Sequence, residues 1–99
     1  MIDLSTIESF DWDDGNARKS LDKHSVTQAE AEQVFAGEPF LSEDFRHSTA
    51  EIRFQALGES IESRLLHVTF TLRGDGKKIR VISARDMNRK ERGYYEQKT

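Results

Sequence analysis

The longest alternating stretch of this sequence predicts a strand with one buried face. From Leu66 to Leu72, apolar and polar side chains follow one another with a period of two. The apolar side chains are Leu66, Val68, Phe70 and Leu72, and the polar ones are His67, Thr69 and Thr71. Since successive side chains of a strand point to opposite faces, one face of this strand should pack on a core. Gly74-Asp75-Gly76 predicts a tight reversal directly afterwards, so the next strand should pair antiparallel with this one.

The segment from Lys77 to Glu96 predicts that next strand and a helix after it. β-Branched residues such as Ile79 and Ile82 follow one another without an intervening glycine or proline, which favours a strand. Asn88 precedes Glu91 by three residues, which is the spacing of a capping box. The last helix should therefore begin at this point.

A short strand and a first helix are predicted near the beginning of the chain. Aromatic residues at Phe10–Trp12 alternate with an aspartate, which fits a strand. Asp13 or Asp14 can then cap a helix that runs toward Lys23. The face expected to pack inward is formed by Ala17, Leu21 and His24.

A second helix is marked at both of its ends. Thr27 and Glu30 have the spacing of a capping box at its beginning. Gly37 is expected to end it in a left-handed conformation, and Pro39 prevents it from resuming. Its expected buried stripe consists of Ala31, Val34 and Phe35.

The remaining segments complete an α+β domain. Residues 40–45 are a weak strand candidate, residues 52–57 alternate as a half-buried strand, and residues 58–63 form a turn. The predicted architecture is an antiparallel sheet of three to five strands with two N-terminal helices and a C-terminal helix. Residues 1–99 are expected to form one domain.

Composition excludes several classes of protein. The chain has 99 residues, of which 35% are hydrophobic and 33% charged, so it should fold as one small globular domain. It has no cysteine, which excludes disulfides and thiolate chemistry. No apolar run has membrane-spanning length and no signal peptide opens the chain, so a cytoplasmic location is expected. Three scattered histidines without a paired spacing predict no metal site, and nothing predicts a cofactor.

Charge is distributed unevenly along the chain. Residues 1–72 hold six Lys/Arg and 14 Asp/Glu, a balance of −8, whereas residues 73–99 hold nine and four, a balance of +5. This asymmetry suggests an anionic partner at the C-terminal end, and guanidinium groups match phosphate oxygens well. The alternative is a solvated charged helix after an edge strand. The arginines of the predicted strand and last helix are Arg80, Arg85, Arg89 and Arg92.

Short stretches from Phe10 to Glu96 match, in order, a known family of small proteins. They are Phe10-Asp11-Trp12-Asp13, Leu21-Asp22-Lys23-His24-Ser25-Val26, Glu30-Ala31, Val34-Phe35, Arg46-His47-Ser48, Glu51-Ile52-Arg53, Ala56-Leu57-Gly58, Leu65-Leu66-His67-Val68, Ile82-Ser83-Ala84-Arg85, Glu91-Arg92 and Tyr95-Glu96. On these stretches the chain resembles the BrnT family of type II toxins, which are small ribonucleases with a RelE-like fold. It departs from that family where Asn16 replaces a common lysine and where Ser20 and Ser25 replace asparagine and glycine. Residues 1–9 are expected to be an N-terminal extension before the usual start of the family.

The resemblance implies a function and a partner. The function is that of a metal-independent endoribonuclease that cleaves RNA and inhibits translation. The partner is a BrnA-like antitoxin with a ribbon-helix-helix domain, through which DNA would be contacted only indirectly. The alternative is a non-catalytic BrnT-like module that binds its antitoxin and acts as co-repressor of its own operon. Asn16 and the acidic balance of the whole chain favour this alternative, whereas the basic C-terminal third favours the ribonuclease.

Cleavage of RNA without a metal requires a base, an acid and cations around the phosphate. Candidate catalytic residues are Arg80, Arg85, Arg64, His24 and Glu91, and candidate RNA-binding residues are Lys23, His47, Arg89, Arg92 and Tyr95. Arg80 and Arg85 differ in parity along their strand, so only a bulge, or a strand that ends before Arg85, would bring them to one face. Arg64 should fall near Arg85 across the hairpin.

Several of these candidates also have structural interpretations. Arg85 can pair with Glu91 or Asp86 and anchor the last helix. His24 can make a structural hydrogen bond at the corner between the two helices. His67 is not expected to be catalytic, because the resembling family usually carries an aliphatic residue there.

Overall fold

The computed structural model describes residues 3–98, over which three helices accompany one five-stranded sheet. In chain order the elements are β1 (Ser9–Phe10), α1 (Asp14–His24), α2 (Gln28–Ala36), β2 (Phe40–Glu43), β3 (Phe54–Glu59), β4 (Leu65–Arg73), β5 (Lys78–Asp86) and α3 (Arg89–Lys98). The strand order across the sheet is β1-β5-β4-β3-β2. β1 lies parallel to β5, and the other neighbouring strands are antiparallel. The predicted α+β class is confirmed, but the sheet is mixed rather than wholly antiparallel.

The predicted apolar stripes of β4 and α2 meet in the core. Phe35 contacts Phe70 edge to face, with ring centroids 5.0 Å apart. The fully buried side chains of the two elements are Leu66, Val68, Phe70, Ala31 and Val34. This arrangement confirms the predicted packing of the sheet on α2.

Residues before β1 also contribute to the core. Leu4 and Ile7 pack against the buried cluster, next to Phe10 of β1. The extension predicted over residues 1–9 begins outside the described residues. From residue 3 onward, however, this segment is part of the packed fold.

Two predicted capping boxes begin α2 and α3. The Thr27 hydroxyl accepts from the Glu30 amide (3.1 Å), and the Glu30 carboxylate accepts from the Thr27 amide (3.0 Å). Asn88 and Glu91 make the same reciprocal pair at 2.8 and 2.9 Å. The prediction for Gly37 is wrong: its φ is −88° and its ψ −146°.

The buried face of α1 is polar, which corrects the predicted apolar face. Asn16 donates from Nδ2 to the carbonyl of Val81 (2.9 Å), and the Ser20 hydroxyl accepts from the Ala84 amide (2.7 Å). β1 covers only the first two residues of β5, so α1 supplies partners to backbone groups that the sheet leaves unpaired. The side chains wrongly expected to form the buried face are Ala17, Leu21 and His24.

β3 lies further along the chain than the sequence predicts. Ile52 is 53% exposed and precedes the strand, whereas Gly58 and Glu59 belong to the strand rather than to a turn. A Cβ added to Gly58 would lie 2.9 Å from Cγ1 of Val34. The glycine therefore allows α2 to approach the sheet closely.

One extra residue in β5 brings two arginines to the same face of the sheet. The pairing of β4 with β5 shifts in register between Thr69 and Phe70, where Ile82 is the additional residue of β5. A bulge of this kind reverses the alternation beyond it. Arg80 and Arg85 consequently both pair with polar residues of β4 that face away from the core. The sequence analysis required such a bulge, or an earlier end of the strand, for Arg80 and Arg85 to lie on one face.

The second face of the sheet is partly covered by α3. The Tyr95 hydroxyl donates to Glu59 (3.1 Å), and the Phe40 and Tyr95 rings meet edge to face with centroids 5.7 Å apart. The part of this face that α3 leaves open is available to a ligand. None of the helices between residues 3 and 98 combines the length and the apolar composition that a membrane span requires.

Candidate active site

A polar groove of about 310 Å³ lies on the sheet face opposite α2, beside α3. Strands β3, β4 and β5 form its floor, and α1, the β2–β3 loop and α3 contribute to its walls. The lining side chains are Lys19, Asp44, His47, Arg53, Gln55, His67, Thr69, Ile82, Ser83, Arg85 and Glu91. We call this site the polar groove.

The register of the strands explains why polar side chains meet in this groove. Gln55, Thr69 and Ser83 form one row across the sheet, and all three point away from the core. His67 and Arg85 form the neighbouring pair on β4 and β5. These are the polar positions of the strands whose alternate residues fill the core, so one pattern creates both the core and the groove floor.

Arg85 and Glu91 form a bidentate ion pair at one end of the groove. Nη1 and Nη2 of Arg85 donate to the two carboxylate oxygens at 2.8 and 2.9 Å. These hydrogen bonds raise the pKa of Arg85. Burial would raise the pKa of Glu91, but hydrogen bonds from Arg85 and from the Asn88 amide lower it overall. Both groups are therefore charged at neutral pH.

His67 lies beneath this ion pair. The residue is only 6% exposed, and its Nε2 is 3.7 Å from the nearer carboxylate oxygen of Glu91. Among the described residues, its Nδ1 has no hydrogen-bond partner. Burial and the positive charge of Arg85 lower the pKa of His67 below its ordinary value, so the imidazole is neutral at neutral pH.

Lowering the pH from 7 to 5 should destabilise the protein through His67. The unfolded chain binds a proton on this imidazole near pH 6.5, whereas the folded protein resists protonation because the group is buried beside Arg85. The free energy of unfolding should therefore fall as the pH drops below about 6.5. Urea unfolding at the two pH values would measure the change, and His67→Leu should lose less stability over the same interval. Equal losses in the two proteins would contradict the prediction.

Asp44 holds His47 at the other end of the groove. Nδ1 of His47 lies 2.9 Å from Oδ2 of Asp44, and the His47 amide donates to Oδ1 at 3.3 Å. The loop that carries them is closed by Ser48, whose hydroxyl donates to the Asp44 carbonyl (2.7 Å) and accepts from the Arg53 amide (2.9 Å). Burial would raise the pKa of Asp44, but side-chain hydrogen bonds with His47 and Gln55 lower it overall.

Arg80 does not reach the polar groove although it shares the face of Arg85. Its guanidinium bonds Asp11 (3.5 Å) and Asp13 (3.0 Å), at the beginning of α1. Four strand steps and one bulge separate the two arginines, which corresponds to about 13 Å along β5. The structure therefore does not bring Arg80 and Arg85 to one phosphate.

Arg64 lies on the other side of the sheet, against the α1–α2 corner. Its guanidinium pairs with Asp86 (2.7 Å) and Glu30 (3.1 Å), and it also donates to the carbonyls of His24 and Ser25. The expectation that Arg64 would join Arg85 is wrong. Arg64 precedes the core-facing Leu66 by two residues, so its side chain lies on the core side of the sheet. The exposed side chain of His24 likewise lies outside the groove lining.

The remaining predicted RNA-binding residues, apart from His47, lie outside the groove lining. Lys23, Arg89 and Arg92 are exposed, and Arg92 donates to the carbonyl of Met87 (3.0 Å). Tyr95 is buried by its packing on the sheet, and burial together with its hydrogen bond to Glu59 raises its pKa.

Four charged or titratable groove residues were missed or set aside by the sequence analysis. Lys19, Asp44 and Arg53 come from α1 and the β2–β3 loop, and His67 was not expected to be catalytic. Arg53 and His67 belong to stretches that resemble the family, whereas Lys19 and Asp44 carried no such signal. Within residues 3–98, no three His, Cys, Asp or Glu side chains are grouped so that they could hold a metal ion.

By its fold and its groove, the chain is a small α+β protein with a charged cleft on the sheet face opposite α2. The family model described as "Ribonuclease toxin, BrnT, of type II toxin-antitoxin system" matches residues 12–91. The chain therefore belongs to the BrnT family of ribonuclease toxins. Membership of a toxin–antitoxin family implies an antitoxin partner.

A solved structure supports the same fold. The crystal structure of the Brucella abortus ribonuclease toxin BrnT is similar with a TM-score of 0.58 and 23% sequence identity. The similarity covers 82% of this chain and 97% of the Brucella chain. No curated protein matches the chain.

Proposed function

We propose that this chain is a metal-independent endoribonuclease that holds the scissile phosphate of RNA in the polar groove. The observation that carries the proposal is the guanidinium of Arg85, which borders the groove together with Lys19 and Arg53. Three cations around a small cleft suit a phosphate, and the planar fork of arginine matches its oxygens. Family membership supports the same reaction class.

The reaction is an attack of the RNA on its own backbone. The 2′-oxygen forms a bond to phosphorus, the bond from phosphorus to the 5′-oxygen breaks, and the products are a 2′,3′-cyclic phosphate and a 5′-hydroxyl. Negative charge builds on the phosphate oxygens in the transition state, where Arg85 stabilises it. The 2′-hydroxyl proton passes to the Glu91 carboxylate, which is ionised at neutral pH.

The Arg85–Glu91 pair couples substrate binding to this proton transfer. In the free protein both carboxylate oxygens of Glu91 are bonded to Arg85. A phosphate that takes the fork of Arg85 displaces the carboxylate, which then becomes free to accept a proton. Loss of the guanidinium bonds also makes Glu91 more basic, because those bonds lower its pKa.

The biological setting follows from the same reaction. Cleavage of cellular RNA in the cytoplasm would inhibit translation, and the implied antitoxin would be a BrnA-like protein with a ribbon-helix-helix domain. DNA would then be contacted only through the antitoxin. The basic balance of residues 73–99 supports an acidic segment of the antitoxin as the covering element.

One observation favours a second function, that of a non-catalytic module that binds its antitoxin and acts as co-repressor. Arg85 already makes three hydrogen bonds within the protein, two to Glu91 and one to the Asp86 carbonyl. An arginine bound in this way can anchor α3 without binding a phosphate. The two functions differ in whether the purified protein cleaves RNA.

The deciding experiment is incubation of the purified protein with total RNA in the presence of a metal chelator. We expect fragments with 2′,3′-cyclic phosphate and 5′-hydroxyl ends, and no fragments from an Arg85→Ala protein purified in parallel. The parallel preparation controls for contaminating nucleases. Intact RNA after incubation with the wild-type protein would reject the ribonuclease and leave the co-repressor.

A further inference from the structure

The leaving 5′-oxygen needs a proton, and one histidine of the groove is built to supply it. We propose that His47, oriented by Asp44, is the general acid of the cleavage reaction. This inference rests on the proposed ribonuclease function, and it assigns to His47 a role beyond RNA binding. Asp44 is the positioning residue, since it acts through the imidazole rather than on the RNA.

The hydrogen bonds of His47 leave one ring nitrogen available to a substrate. Asp44 occupies Nδ1 at 2.9 Å and also accepts from the backbone amide of the same residue. Asp44 is 8% exposed, whereas the His47 side chain is 60% exposed and borders the groove. A carboxylate on one ring nitrogen fixes the orientation of an imidazole and directs proton exchange to the other, Nε2.

The positions of His47 and Glu91 suit an acid and a base on either side of a phosphate. Both side chains line the groove, His47 from the β2–β3 loop and Glu91 from α3. Asp44 holds His47, whereas Glu91 lies over His67 of β4. In-line displacement requires the entering and leaving oxygens on opposite sides of phosphorus, and two groups from different walls of one groove suit that requirement.

The proton balance of the step is complete with these two residues. The 2′-hydroxyl loses its proton to Glu91 as the bond from oxygen to phosphorus forms. The bond from phosphorus to the 5′-oxygen breaks as Nε2 of His47 gives its proton to that oxygen. Exchange with water then removes the proton from Glu91 and returns one to His47, so no further reactant is required.

A leaving group that needs no proton tests the assignment. Two RNA oligonucleotides would contain the bond that the wild-type protein cuts, one with the natural 5′-oxygen and one with a bridging sulfur in its place. A thiolate leaves without protonation, so loss of a general acid should affect only the oxygen RNA. We expect His47→Ala to slow cleavage of the oxygen RNA by a factor on the order of 10²–10³. The same variant should cleave the sulfur RNA at close to the wild-type rate.

Asp44→Asn and Arg46→Ala complete the design. Asp44→Asn should show the same selective loss with a smaller magnitude, which a merely structural role for the carboxylate would not produce. Arg46 is an exposed neighbour in the same loop, so Arg46→Ala should change the two rates equally, if at all. Thermal melting of each variant checks that it is folded.

The outcomes separate this inference from the function on which it rests. Equal losses on the two RNAs in His47→Ala, or unchanged cleavage of the oxygen RNA, would overturn the role of His47 while the ribonuclease stands. Failure of the wild-type protein to cut either RNA would overturn the proposed function and this assignment with it.

Discussion

Replacing Arg85 by alanine should reduce RNA cleavage by a factor on the order of 10²–10³ while most of the protein remains folded. The expected loss is the usual effect of removing one group that stabilises charge in the transition state. The ion pair with Glu91 is partly exposed, so its removal should cost less stability than the loss of a core side chain. The rate would be measured per folded molecule, with circular dichroism giving the folded fraction.

Arg64 provides the matched control for this experiment. It is also an ion-paired arginine that joins distant elements, but it lies on the opposite side of the sheet from the groove. Arg64→Ala should lower the melting temperature and leave cleavage per folded molecule unchanged. The reverse pattern, with early melting of Arg85→Ala and wild-type cleavage by its folded fraction, would make Arg85 an anchor of α3. In that case the ribonuclease assignment would rest on family membership alone.

Capping boxes and the alternation of a strand depend only on residues that are close in sequence, so the sequence predicted these elements well. The capping boxes at Thr27 and Asn88 lie where the sequence placed them, and the stripe of β4 faces the core. The polar face of α1 could not be predicted in the same way. Asn16 and Ser20 are buried because β1 is too short to cover β5, and that depends on pairing between distant segments.

Apart from His47, which the sequence analysis named among the RNA-binding residues, the candidate site was predicted only in the segment that carries its own pattern. Arg85 and Glu91 were both expected, because a strand end and a capping box mark them in one continuous stretch. Arg80 and Arg85 lie on one face of the sheet only because of the bulge at Ile82, since strict alternation would place them on opposite faces. Asp44 enters the groove from the β2–β3 loop, whose position is set by the pairing of β2 with β3.

A second large effect, on stability, is expected from a substitution in the hydrophobic core that supports the groove. Phe70→Ala should lower the free energy of unfolding by about 3–5 kcal/mol. Phe70 is fully buried, and its ring contacts Phe35 edge to face at 5.0 Å and stacks on Phe54 at 5.4 Å. Truncation would leave a cavity between α2 and the sheet, and the two aromatic neighbours would lose their partner.

Urea unfolding of Phe70→Ala and of a matched surface variant would measure this effect. Phe45 is 79% exposed, so Phe45→Ala should change the free energy of unfolding by less than about 0.5 kcal/mol. For a domain of this size, a loss of 3 kcal/mol corresponds to a fall in melting temperature of roughly 12–24 °C. An unchanged melting temperature in Phe70→Ala, or equal losses in the two variants, would contradict the packing of β4 on α2.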